Sequence, residues 1–131
     1  MSSIRRDKPQ LLCWITCDAV YVDPSSGKHT LLGIFSSLRA KTFPVVHKSM
    51  IWFITLTDVV LGEHELKLSM SYGIDEPKVL VQKNFKSHSP AHRINLVNEI
   101  NHLNFNTPGN YSIHIEIDDQ LLLVIGFPVQ N

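Results

Sequence analysis

The chain has no surplus of charge, no long apolar run and almost no cysteine, and each shortage removes a class of protein. Twelve Lys and Arg balance twelve Asp and Glu. A general nucleic-acid or anionic-membrane binder needs excess Lys and Arg, so neither partner is expected. No apolar stretch approaches the roughly 20 residues of a membrane-spanning helix. The run 11–17 stops at Asp18, short for a secretion-signal core, and no small-residue cleavage site follows. Cys13 and Cys17 are the only cysteines. On one extended strand they lie about 13 Å apart on the same face, too far for a disulfide. Free thiols suit a reducing compartment, and a cytoplasmic protein is expected. Without a secretion signal, the sequon Asn110-Tyr111-Ser112 is read as chance.

Catalytic signatures are missing as well. No G-x-S-x-G elbow occurs. Gly27-Lys28-His29-Thr30 has part of a phosphate loop, but Val22 stands where the earlier Gly is needed and His29 follows the Lys. A hairpin turn explains those residues better. No cofactor is implied, and an enzyme is not expected.

What the chain does have is period-two alternation. In 111–118, Tyr111, Ile113, Ile115 and Ile117 are apolar, while Ser112, His114, Glu116 and Asp118 are polar. That pattern is a strand with one face on a core and the other in water. Comparable stretches cover 11–22, 29–38, 50–57, 65–72 and 79–85, separated by turn chemistry such as Asp23-Pro24-Ser25-Ser26-Gly27. Pro44 makes 39–49 an edge or a crossover. The segment 92–105 fits a helical stripe or a strand that shifts phase. Its four Asn residues disfavour the helix, so it reads as a strand with a bulge. The last hairpin pairs 111–117 with 121–129. About eight strands at this spacing predict an all-β, two-sheet antiparallel β-sandwich, immunoglobulin-like, over 10–131, behind a loose arm at 1–9. Pro108-Gly109-Asn110-Tyr111 matches the tyrosine corner of such sandwiches, a packing role.

Charge is spread unevenly. All 12 Lys and Arg lie at or before Arg93, against eight acids there, and the last four acids follow. Strands of a sandwich mix in space, so this asymmetry is expected to disappear in the fold.

Cys17-Asp18-Ala19-Val20-Tyr21 and the run from Gly27 to Phe35, followed by Phe43-Pro44, Leu56-Thr57, Gly62-Glu63-His64 and Pro108-Gly109-Asn110-Tyr111, together resemble a family of small bacterial proteins classed only as a domain of unknown function. The likeness covers nearly the whole chain after the arm. It implies a bacterial origin. It implies no activity or ligand, and no functional residue carries over.

Two features invite a function. Seven histidines include the close pair His88 and His92 in a Pro-containing loop, with His64 and His102 as conceivable neighbours. Zinc needs three or four converging ligands, and this spacing matches no motif, so solvated loop histidines are the plainer reading. His114, Glu116 and Ser112 share one outward face, which alternation alone explains. Asp18 interrupts an apolar strand and is expected to bond to backbone or a hydroxyl.

The stronger feature is apolar excess. Leu121, Leu122, Leu123, Val124, Ile125, Phe127 and Val129 make both faces of the last strand apolar, and Trp52 and Phe53 point to opposite sides of another. A sandwich strand has one inner face, so something must cover the other. Either the 39–49 crossover or the arm does so, or a second subunit does. The interface candidates are Trp52, Leu121, Leu123, Val124 and Phe127. The expected function is a non-catalytic binding or assembly module that self-associates as a homo-oligomer. The alternatives are a metal-dependent or hydrolytic enzyme using His88 and His92, and a structural component of a larger particle.

Overall fold

Alternation makes the strands, and pairing decides which residues of each strand meet. The computed structural model describes residues 8–131. The arm expected at 1–9 lies outside the described residues up to position 7, and Pro9 is already buried. Nine strands follow: β1 (Gln10–Val22), β2 (His29–Phe35), β3 (Leu38–Arg39), β4 (Val45–Thr57), β5 (Gly62–Tyr72), β6 (Lys78–Ser87), β7 (Ile94–Phe105), β8 (Gly109–Ile117) and β9 (Gln120–Gln130). Their order is β2-β1-β4-β7 in one sheet and β3-β9-β8-β5-β6 in the other. This is the expected two-sheet sandwich. Every pairing is antiparallel except β3 with β9, which is parallel. No helix is long and apolar enough to cross a membrane among the described residues.

The alternation of β8 sets one side of the core. Tyr111, Ile113, Ile115 and Ile117 are all buried. From the other sheet Met50, Trp52, Ile54 and Leu56 of β4 join them in one apolar cluster. Each such side chain stabilises the fold by roughly 1.5–3 kcal/mol. The Tyr111 hydroxyl donates to the Thr107 carbonyl at 2.7 Å, the bond of a tyrosine corner. Its ring packs edge-on against Phe105, 5.0 Å away.

Three element boundaries differ from the sequence expectation. The strand expected over 29–38 stops at Phe35, because Ser36-Ser37 carries the chain to the other sheet. There Leu38 and Arg39 pair with Val129 and Gln130, which is the ninth strand. β4 begins at Val45, so the second half of the expected crossover is in the ladder with β7. Pro44 stands just outside it, where its missing N–H removes no ladder bond. The ambiguous segment 92–105 is the strand β7 from Ile94 onward. Leu96, Asn98 and Ile100 are buried, then Leu103 and Phe105, so the phase slips by one at His102. His102 takes up the slip with a left-handed φ of 55°.

Candidate functional site

The two open flanks of the sandwich are built differently. At one, β6 and β7 face each other as the free edges of the two sheets. Lys83 of β6 pairs with Leu66, whose side chain is fully buried, so Lys83 points inward between the sheets. Its ammonium donates to the Val97 carbonyl of β7 at 3.2 Å. Burial holds its pKa below the usual lysine value. Lys78 and Lys86 lie on the same strand. An inward charge and several lysines are what keep a sheet edge from pairing with another chain.

At the other flank β2 and the β9 side of the second sheet come together, with Phe35 and Phe127 rings 6.3 Å apart. β3 covers β9 only at Val129 and Gln130, so, among the described residues, 120–128 have β8 on one side and no strand on the other. That stretch contains no charged residue, and its only proline is Pro128. β9 pairs with β8 through Tyr111–Phe127, Ile113–Ile125 and Ile115–Leu123, with a bulge before Glu116–Leu121. Leu123, Ile125 and Phe127 therefore face inward with the buried residues of β8. Val124, opposite His114, faces out and is 49% exposed, and Leu121 is 48% exposed. Ile125 faces in but lies at the mouth of the flank, 37% exposed. A cleft of about 420 Å3 runs here between Pro9 and Leu11 on one side and Leu122 and Leu123 on the other.

Two interface candidates move to the interior. Trp52 is 1% exposed and meets Trp14 edge-to-face at 5.1 Å. Phe127 is 3% exposed, stacked near Phe105. The parity of each strand, fixed by its partner, puts them inside. Leu123 is half-buried on the inner face, and of the five candidates only Leu121 and Val124 are openly exposed. The outward side of β4 is also covered. Phe53 is buried outside the main cluster, and the His29 ring rests 5.6 Å from it. The last β1–β4 pair is Cys17–Ile51, whereas His29 pairs with Val22 beyond it. The end of the β1–β2 hairpin thus reaches back over β4 and supplies cover there.

Asp18 is exposed, and its carboxylate lies across Gly33. A Cβ on Gly33 would stand 2.3 Å from Asp18 Oδ2, and the φ of +69° there also favours glycine. The carboxylate thus occupies the face of β2 where a side chain at Gly33 would stand.

The histidines do not converge. His88 and His92 are both exposed. Among the described residues no three His, Cys, Asp or Glu side chains stand together to hold a metal. His102 is exposed on β7, in a polar cleft of about 460 Å3 with Asp75 and Asn104. His114 shares a bond of 3.1 Å with Ser71 on the outer face of the second sheet.

His64 is different, and its partner stands 54 residues away in the chain, beyond the reach of any local pattern. Its Nδ1 lies 2.6 Å from Asp118 Oδ2 and its Nε2 lies 2.6 Å from the Val60 carbonyl. Both partners are acceptors, so the geometry suits the protonated ring, in which both nitrogens donate. Burial opposes that charge, but the bonds to Asp118 and Val60 and the charges of Asp118 and Glu63 outweigh it. The net shift is upward from the usual histidine value. Asp118 also receives the Glu65 N–H at 2.8 Å and donates its own N–H to the Glu65 carbonyl at 2.9 Å. With φ of 51° and 63°, Asp118 and Asp119 form the two-residue turn that starts β9. The assembly is a clamp rather than a catalytic dyad, since Nε2 is held by backbone and has no nucleophile to serve.

No curated protein sequence matches this chain. A family model matches residues 12–130, and the chain belongs to that family of unknown function, DUF6941.

Proposed function

We propose that this domain is a non-catalytic binding or assembly module of a bacterial cytoplasm, and that it associates with copies of itself through the flank where β2 and β9 meet. One observation carries the reading: the edge of β9 over 120–128 is uncharged and, among the described residues, unpaired, beside half-exposed Leu121 and Val124. Soluble β proteins guard such edges, and this chain does so at its opposite flank. Free Cys13 and Cys17 support a reducing setting.

The test is light scattering coupled to size-exclusion chromatography on untagged protein. A discrete assembly of 14.9 kDa protomers supports the reading, and a monomer at every concentration overturns it. Open-ended polymers would favour a second reading, a structural component of a larger particle. That reading draws on the presence of two free edges, β2 and β9, on one flank.

A further inference from the structure

Resting on that reading of self-association, we infer the partner surface and its symmetry: two copies join by antiparallel pairing of β9 with β9 about a two-fold axis at Val124, making one ten-stranded sheet from two five-stranded ones. The free edge itself sets this register. It begins after the Asp118-Asp119 turn and ends where β3 takes over at Val129. The midpoint of 120–128 is Val124.

A two-fold axis there uses the whole free edge of both copies and leaves β3 in place at each end. Pro128, which has no N–H to give a ladder, falls at the last position. Residues directly opposite in an antiparallel pair share a face. Leu123 then meets the second copy's Ile125 on the inner side, and Val124 meets its own counterpart outside. The bulge at Leu122 lies opposite Gly126 of the second copy, so the regular centre of the ladder is 123–125.

Charge agrees with this choice. The paired strands are uncharged, so no like charges are brought together. At each end of the ladder the Asp119 carboxylate of one copy, held by Lys67 at 3.2 Å and 79% exposed, comes toward the exposed Arg39 on β3 of the other, whose guanidinium donates to Gln130 and Asn131. The other free edge of the flank fits less well. β2 has only seven residues and is kinked at Gly33 with the Asp18 carboxylate across it. Pairing through β9 also covers the exposed Ile125 at the cleft mouth.

The experiment uses the full chain and two substitutions at Val124, where half exposure leaves the fold indifferent. In Val124→Lys the mass by light scattering is expected to fall from twice 14.9 kDa to 14.9 kDa, with an unchanged circular dichroism spectrum and a melting temperature that no longer rises with protein concentration. In Val124→Cys, counterparts across the axis stand about 4.5–5.5 Å apart at Cβ, close to what a disulfide spans. Mild oxidation is expected to give a covalent dimer that reductant reverses. The parent chain, with its Cys13 and Cys17, and a Thr30→Cys variant on β2 are expected to give none. A parent dimer that survives Val124→Lys, with no crosslink in Val124→Cys, overturns the β9 ladder while self-association stands. Cross-linking through Thr30→Cys instead moves the interface to β2 and also overturns it. A parent chain that is monomeric throughout removes self-association, and this inference with it.

Discussion

The two flanks solve the same problem in opposite ways. Each ends a sheet in a strand with unpaired backbone on one side. At the β6–β7 flank, Lys83 is turned into the sandwich and tied to the Val97 carbonyl, at a cost visible in its lowered pKa. At the β2–β9 flank the residues from Gln120 to Pro128 carry no charge at all. One flank spends stability on staying single, while the other keeps apolar contact available. Edge protection is therefore local, and the proposed self-association rests on the edge that lacks it.

The contrast can be broken from the inside first. Phe127→Ala removes a buried ring shared with Phe35 and Phe105 and should cost about 3–5 kcal/mol in denaturant unfolding. That inner-face loss is the counterpart of Val124→Lys, which in the same assay should lose only the contribution of association. Next in size is the Gly33→Ala change on β2. Its Cβ meets the Asp18 carboxylate in a left-handed backbone, and a loss of about 1–2 kcal/mol is expected by thermal melting. Asp18→Ser should recover the steric part and leave the backbone part.

The guarded flank can be sharpened by removing its guard. Lys83→Met discards a charge whose burial opposes folding, so the melting temperature should hold or rise. Light scattering should then show association beyond the parent assembly, because β6 has lost its inward charge. A melting temperature that drops sharply would mean the bond to Val97 outweighs the desolvation.

The smallest effect expected is that of pH on the clamp that starts β9. The folded pKa of His64 is raised. Its contribution to stability is thus complete below the unfolded value of about 6.5 and is lost as pH rises through the folded value. The parent should lose more melting temperature than Asp118→Asn across that window, since Asn keeps the left-handed turn but not the charge. Equal slopes would refute the imidazolium.

How much of this was legible depended on whether the deciding partner was near in sequence. β8 could be read in full, because strict alternation needs only one core face to explain it. The tyrosine corner was visible because Tyr111 bonds four residues back. The parity of β9 was not, because Leu121 to Ile125 is apolar at every position and a bulge shifts its phase; only pairing with β8 places Phe127 inside and Val124 out. Trp52 was assigned to an interface for the same reason, since Met50 to Ile54 offers no polar residue to mark a face. β3 has two residues, too few for any period. The His64–Asp118 clamp joins two ordinary surface residue types from strands far apart in the chain, and no local pattern announces it.

The chain's two tryptophans, Trp14 and Trp52, touch at 5.1 Å and nearly perpendicular planes, both in the four-stranded sheet. The protein thus carries its own optical probe, placed in the sheet that does not contain β9. Near-ultraviolet dichroism of this perpendicular pair will report whether that sheet is intact, while Trp14, which lines a cleft with Ile125 and Phe127 of β9, lets indole emission respond to events at that edge. A variant that halves the particle mass and keeps the dichroism of the pair has come apart without melting, and loss of that dichroism marks a molecule that has lost its core.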